Sequence, residues 1–247
     1  MINVVFGLLL AMTVRAQEAG FTEPPMPPPL PAPVEPTFLN PTIYYKPIIK
    51  YDVDRCEEQT RVEMLSPEDK VLTRLCVKDF NNCVMQGACY VHDENGRFRS
   101  FNYYARGEDG VPRFKEVDMR KCPYGYGMRN VCLDPYHTVA ADLSIYKMGD
   151  VIFVPRLEGQ IMPDGTVHDG FFVVRDAGAA IKGPNRFDFY TGFTRPFVPE
   201  NTFHRLGFAD LKNSFPFRMA TDEEAALVRE NTGYPGTKKV ILLPPHR

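Results

Sequence analysis

The chain has 247 residues, of which 44% are hydrophobic, 24% charged and 12% aromatic. That globular composition excludes a wholly disordered chain and a multi-span membrane protein. Its 29 Lys and Arg stand against 31 Asp and Glu, so it lacks the cationic excess that gains affinity by releasing counterions from a phosphate backbone, and nucleic acid is not an expected partner. The chain contains no Trp, which leaves any stacking on sugars to Tyr and Phe.

Val4 to Val14 form an uncharged apolar run, far short of the roughly 20 residues a membrane-crossing helix needs. With Val14 and Ala16 at the −3 and −1 positions of a cleavage site, residues 1–16 read as a signal peptide. This predicts export to the periplasm or cell envelope, with no integral span after processing. Residues 17–37 are a Pro-rich linker: eight of the chain's 23 prolines lie between Pro24 and Pro36, and they favour an extended polyproline tether. Such a tether spaces the domain from its surroundings or reaches a wall or envelope protein. Residues 38–120 are expected to form a Cys-containing helix and hairpin region. Ser66 before Pro67, with Asp69 three residues on, predicts a helix over 67–80 whose apolar Val71, Leu72, Leu75 and Cys76 recur at helical spacing. The Asn95-Gly96 pair between two runs rich in Tyr, Phe and Val predicts a hairpin.

From Val139 onward, short apolar runs separated by Gly, Pro and Asp (HTVAAD, DVIFVPRL, GFFVVRDAG and RFDFYTGF) indicate a small barrel of short strands, assigned to residues 121–247. Thr221 with Glu224 opens a second helix, TDEEAALVREN, and KKVILLPPHR offers one edge strand. The cysteines at 56, 76, 83, 89, 122 and 132 form no C-x2-C pair and have no His at a zinc-like offset. Neither a metal nor a cofactor is indicated, and no Cys reads as a nucleophile. Three disulfides suit an oxidising compartment, and of the fifteen connectivities the first choice joins Cys122 to Cys132, bracketing the loop PYGYGMRNV. His137 and His168 read as strand-edge residues.

The segment with chemical content is 171–193. Asp176 ends a fully apolar strand, and Asp188 lies among Phe187, Phe189 and Tyr190. An ionised carboxylate in such surroundings loses several kcal/mol of solvation unless it is paired or protonated. Asp142 ends a short strand upstream. Asp142 in VAADLSIYKMGDVIFV, Asp176 in VVRDAGAAIKG and Asp188 in GPNRFDFYTG, the last two twelve positions apart, together resemble the three-aspartate (3D) domain shared with the membrane-bound lytic transglycosylase A family. The resemblance spans roughly residues 136–194 and implies a double-psi β-barrel in a mainly β chain, α+β overall, with the N-terminal helix and hairpin region as an extension. It further implies cleavage of the MurNAc-GlcNAc bond of peptidoglycan glycan strands with formation of 1,6-anhydro-MurNAc. By that resemblance Asp188 is the catalytic acid, with Asp176 and Asp142 orienting and tuning it.

Lys182, Gly178, Arg186 and Tyr190 are the candidate substrate-binding residues. Ala177, Gly178 and Ala179 stand where the family commonly has Thr-Gly-Gly, and nothing between Tyr44 and Met119 matches the family's second domain, the other wall of its glycan groove. The alternative reading is a non-catalytic peptidoglycan or polysaccharide-binding module of the same fold. A protein-interaction domain displayed by the tether is a third class, supported by the prolines alone.

Overall fold

The structure is a computed structural model that describes residues 37–52 and 54–237. The expected signal peptide, nearly all of the Pro-rich linker and the expected edge strand over 238–247 lie outside the described residues. In chain order the elements are β1 (Thr37–Tyr44), β2 (Ile48–Lys50), β3 (Arg61–Leu65), β4 (Val71–Cys76), α1 (Val77–Gln86), β5 (Ala88–His92), β6 (Phe98–Arg106), β7 (Pro112–Glu116), β8 (Thr138–Ala140), β9 (Val151–Phe153), β10 (Phe171–Asp176), β11 (Arg186–Tyr190), α2 (Thr202–Arg205), β12 (Phe215–Met219) and α3 (Asp222–Asn231). They build a closed six-stranded barrel in the order β1-β11-β8-β10-β9-β12 and a six-stranded sheet in the order β2-β5-β6-β7-β3-β4. Both lie in one compact unit.

The barrel is mixed. β1 runs parallel to β11 and β8 runs parallel to β10, while the remaining neighbours are antiparallel, an arrangement in keeping with the expected double-psi barrel. Strand alternation fills it: Phe187 and Phe189 of β11 and Phe172 and Val174 of β10 point inward to meet Leu39, Ile152 and Phe217. Phe203 of α2 and Phe208 complete this cluster. The opposite face of β10 carries Val173 against Ala225 and Val228 of α3. The predicted capping box of α3 is present, with Thr221 and Glu224 bonded reciprocally.

Two boundaries differ from the sequence expectation. The barrel does not start near residue 121 but recruits β1 from the segment directly after the prolines, pairing Thr42 with Asp188 and Tyr44 with Tyr190. Residues 67–76 are not helical. Ser66 caps a tight turn instead, accepting bonds from the Glu68 and Lys70 amides, with Asp69 at φ 59°. β3 and β4 then pair as a hairpin, placing Leu75 opposite Val62. Helix α1 begins only at Val77, where Phe80 and Cys83 face the core of the second sheet. Cross-strand pairing and burial have outweighed the local helix-start signal. The Asn95-Gly96 hairpin is present between β5 and β6, with Gly96 at φ 72°.

All six cysteines are paired, as Cys56–Cys76, Cys83–Cys89 and the expected Cys122–Cys132. No helix among the described residues is long and apolar enough to cross a membrane.

Candidate active site

The fold brings Asp176 and Asp188 to one place by register. Asp188 of β11 and Asp176 of β10 both pair with Ala140 of β8, the strand between them, so their backbones stand two strand spacings apart, roughly 10 Å. Simple alternation would turn Asp176 inward behind Phe172 and Val174. A bulge in the β10–β8 ladder between Val174 and Asp176 admits an extra residue and re-aims the strand end. Both carboxylates consequently line a cavity of about 710 Å3, with Tyr44, Gly178 and Tyr190 also on the barrel side.

The other wall is the second sheet, which contributes Asn102, Tyr104 and Lys115. Tyr104 is well exposed, and the Lys115 ammonium lies over its ring at 3.7 Å. The loop 123–131, closed by Cys122–Cys132, joins the two walls: the Asn102 amide donates to the Tyr126 carbonyl, and the Tyr126 amide returns a bond to Asn102 Oδ1. Gly127 touches β10 so closely that a Cβ there would overlap the Arg175 carbonyl oxygen. Deeper in the seam, fully buried Lys46 donates to Ser100 Oγ at 2.7 Å and lies over the Tyr90 ring at 4.4 Å. Burial lowers its ammonium to about 7.

The three aspartates have different surroundings. Asp188 Oδ1 accepts a 2.6 Å bond from the Thr42 hydroxyl. Burial raises this carboxyl, against the opposing pull of Thr42 and of the Arg186 charge. Asp176 Oδ2 accepts from Tyr44 Oη at 3.1 Å and its Oδ1 from the Ala177 amide at 2.9 Å. Burial nevertheless raises it to about 7, and the negative charge of Asp188 adds to the shift. Asp142 behaves oppositely and does not line the cavity. It accepts from the Gly183 amide at 2.9 Å and from the amide and hydroxyl of Ser144. The Gly183 bond first, then Ser144 and the Lys182 charge, hold it down at about 2. It fastens the 182–184 turn between β10 and β11.

The candidate binding residues divide likewise. Gly178 lines the cavity, and a Cβ there would meet the Ile181 side chain at 2.9 Å. Tyr190 reaches the cavity wall, yet it is 1% exposed and its hydroxyl donates to the Tyr124 carbonyl. Lys182 is exposed beside Asp142 at 3.8 Å, away from the cavity lining. Arg186 is also off the lining and is spent on the carbonyls of Phe187 and Asn40 and the hydroxyl of Thr42. His168 is buried rather than at a strand edge: its Nδ1 accepts from the Gly170 amide, Nε2 meets the Tyr136 carbonyl, and its ring stacks on His137 at 4.7 Å. Both its nitrogens are thus taken by backbone, although the ligand atoms of His137, His168 and Asp169 lie within 4.8 Å of one another. Thr42 and Tyr44, the hydroxyls that contact the two raised carboxyls, were not among the sequence candidates.

Residues 137–196 match the 3D domain, a span that holds Asp142 and the two cavity aspartates. No curated protein matches the chain. Among solved structures it is similar to a membrane-bound lytic murein transglycosylase from Agrobacterium tumefaciens, with 17% identity, TM-score 0.48 and coverage of 78% of this chain and 76% of that one. It is similar also to E. coli MltA with bound chitohexaose, with 17% identity, TM-score 0.47 and coverage of 74% and 72%. The lytic transglycosylase LtgG of Burkholderia pseudomallei follows, with 16% identity, TM-score 0.38 and coverage of 74% and 70%.

Proposed function

We propose that this protein is an exported peptidoglycan lytic transglycosylase that cleaves the MurNAc-GlcNAc bond and leaves a 1,6-anhydro-MurNAc end. The observation that carries this reading is Asp188. It is a carboxyl group of a 3D domain, raised by burial, partly open to a two-walled cavity, with a hydroxyl partner on one of its oxygens. In its protonated form, which burial favours, the Asp188 carboxyl can donate its proton to the leaving glycosidic oxygen. The carboxylate left behind then takes the proton of the muramic C6 hydroxyl as that oxygen attacks C1, so one group serves as acid and then as base. Asp176 stands on the same cavity wall, held in place by its bonds to Tyr44 and Ala177, and its carboxyl is raised by burial first and by the Asp188 charge as well, so the two groups are electrostatically linked. The second sheet completes the groove with exposed Tyr104, a side chain suited to a sugar face.

The test is digestion of purified sacculi by the full chain beside Asp188→Asn, with products read by mass spectrometry. Anhydro-muropeptides from the wild type alone are expected. Reducing-end products would keep the site and change the chemistry to hydrolysis. Intact sacculi with wall pull-down by both proteins would make the barrel a binding module.

A further inference from the structure

We propose that Thr42 and Arg186 form a positioning relay that reserves Asp188 Oδ1 as a permanent hydrogen-bond acceptor and leaves Oδ2 as the oxygen that gives and regains the proton. The inference rests on Asp188 acting as the acid, as proposed above. A guanidinium group only donates and stays charged. Arg186 Nη2 donates to Thr42 Oγ1 at 2.6 Å, so the hydroxyl's own hydrogen must go elsewhere. Its acceptor among the described residues is Asp188 Oδ1, also at 2.6 Å. A carboxyl proton on Oδ1 would place two hydrogens between the same two oxygens. Neutral Asp188 therefore carries its proton on Oδ2.

The backbone fixes the relay. Thr42 is the register partner of Asp188 in the parallel β1–β11 pair, and Arg186 precedes Asp188 by two residues and so shares its face of β11. Arg186 is anchored in turn by Nη1 on the Phe187 carbonyl at 2.8 Å and the Asn40 carbonyl at 3.3 Å. The other titratable groups around Asp188 are Tyr190 on its own strand, Tyr44 on β1 and Asp176 on β10, while β8 offers only Thr138, Val139 and Ala140. Lys46, Arg106 and Lys115 line the cavity from the second-sheet side, and Arg186, bonded to the same Thr42 hydroxyl, is the cation whose charge pulls on Asp188. It acts through Asp188 rather than on substrate, stabilising the carboxylate between the two proton transfers. Because Oδ1 stays engaged throughout, one oxygen serves both steps and the carboxyl group need not rotate between them.

The experiment combines 13C NMR titration of the Asp188 carboxyl with the pH dependence of kcat on sacculi. It uses the full chain as wild type, Thr42→Val, Thr42→Ser and Arg186→Met. Losing a hydrogen bond to the charged form raises the Asp188 midpoint in Thr42→Val by about one to two pH units. The alkaline limb of kcat moves by the same amount with KM unchanged, and Thr42→Ser restores both. Arg186→Met moves the midpoint in the same direction. A Thr42→Val protein with the wild-type midpoint and pH profile would overturn the relay. If that variant does not fold, an unmoved midpoint in Arg186→Met overturns it instead. The titration is independent of turnover, so a wild type that releases no product refutes the proposed function while the midpoints still decide the relay.

Discussion

Asp176→Asn should make the protein more stable above neutral pH. The wild-type carboxyl is raised from 3.8 to about 7, mainly by burial. A raised carboxyl binds more protons in the folded than in the unfolded state between those two values. Its stabilising contribution is therefore full below about pH 4 and is lost as pH rises through about 7. A difference of about 3 units corresponds to ~4 kcal/mol at 1.36 kcal/mol per unit. Asn mimics the protonated form but accepts one bond fewer from Tyr44 and Ala177, which lowers the expected gain to ~2–4 kcal/mol at pH 8. The assay is urea unfolding with the disulfides intact, at pH 4 and pH 8, for both proteins. The difference between them isolates Asp176 from Asp142, whose depressed carboxyl loses its stabilising contribution as pH falls from its unfolded value through about 2. A variant no more stable than wild type at pH 8, or a gain of equal size at pH 4, would refute the assignment of a desolvated carboxylate. Asp188→Asn should show the same sign, since that carboxyl is also raised by burial.

Replacing Cys122 and Cys132 by Ala removes a cross-link spanning 10 positions. The loss is about 3 kcal/mol on the chain-entropy account, read as a lower urea midpoint, with a larger fall in activity than in stability because the loop it closes holds the two cavity walls together. Gly127→Ala should destabilise by about 2 kcal/mol or more, because the new methyl group overlaps the Arg175 backbone carbonyl, which cannot move without disturbing β10. Thermal unfolding of Gly127→Ala, which adds the offending Cβ, checks this, and a wild-type melting temperature would contradict the close approach.

Much of the barrel is legible in the sequence because its strands are short apolar runs bounded by Gly, Pro and Asp. The capping box of α3, the Asn95-Gly96 turn and the Cys122–Cys132 pair are local signals that tertiary structure did not override. The expected helix over 67–80 failed because Ser66 and Asp69 also suit a tight turn, and pairing with β3 decided between the two. β1 falls at the start of the region 38–120, expected to be separate from the barrel, because FLNPTIY with Pro41 inside it carries no local strand signal. Its role depends on partners near residue 188, some 146 positions away. The same distance hid Thr42 and Tyr44, and it made Arg186 look like a free cation for substrate when its donors are committed within the barrel. Asp142, Asp176 and Asp188 group together by motif, but the bulge that re-aims Asp176 and the Gly183 bond that ties Asp142 to a turn 41 positions away are tertiary features the motif does not carry.

The central claim is that one carboxyl group, Asp188, breaks the glycosidic bond without water. The most direct measurement is digestion of sacculi by the full chain in 18O-enriched water, with Asp188→Asn alongside and the new glycan ends weighed by mass spectrometry. The account predicts anhydro ends free of 18O from the wild type, and a rate lower by about 10²–10⁴ in the variant, the usual weight of a positioned acid-base group. Ends that carry 18O, or a variant as active as the wild type, would contradict it.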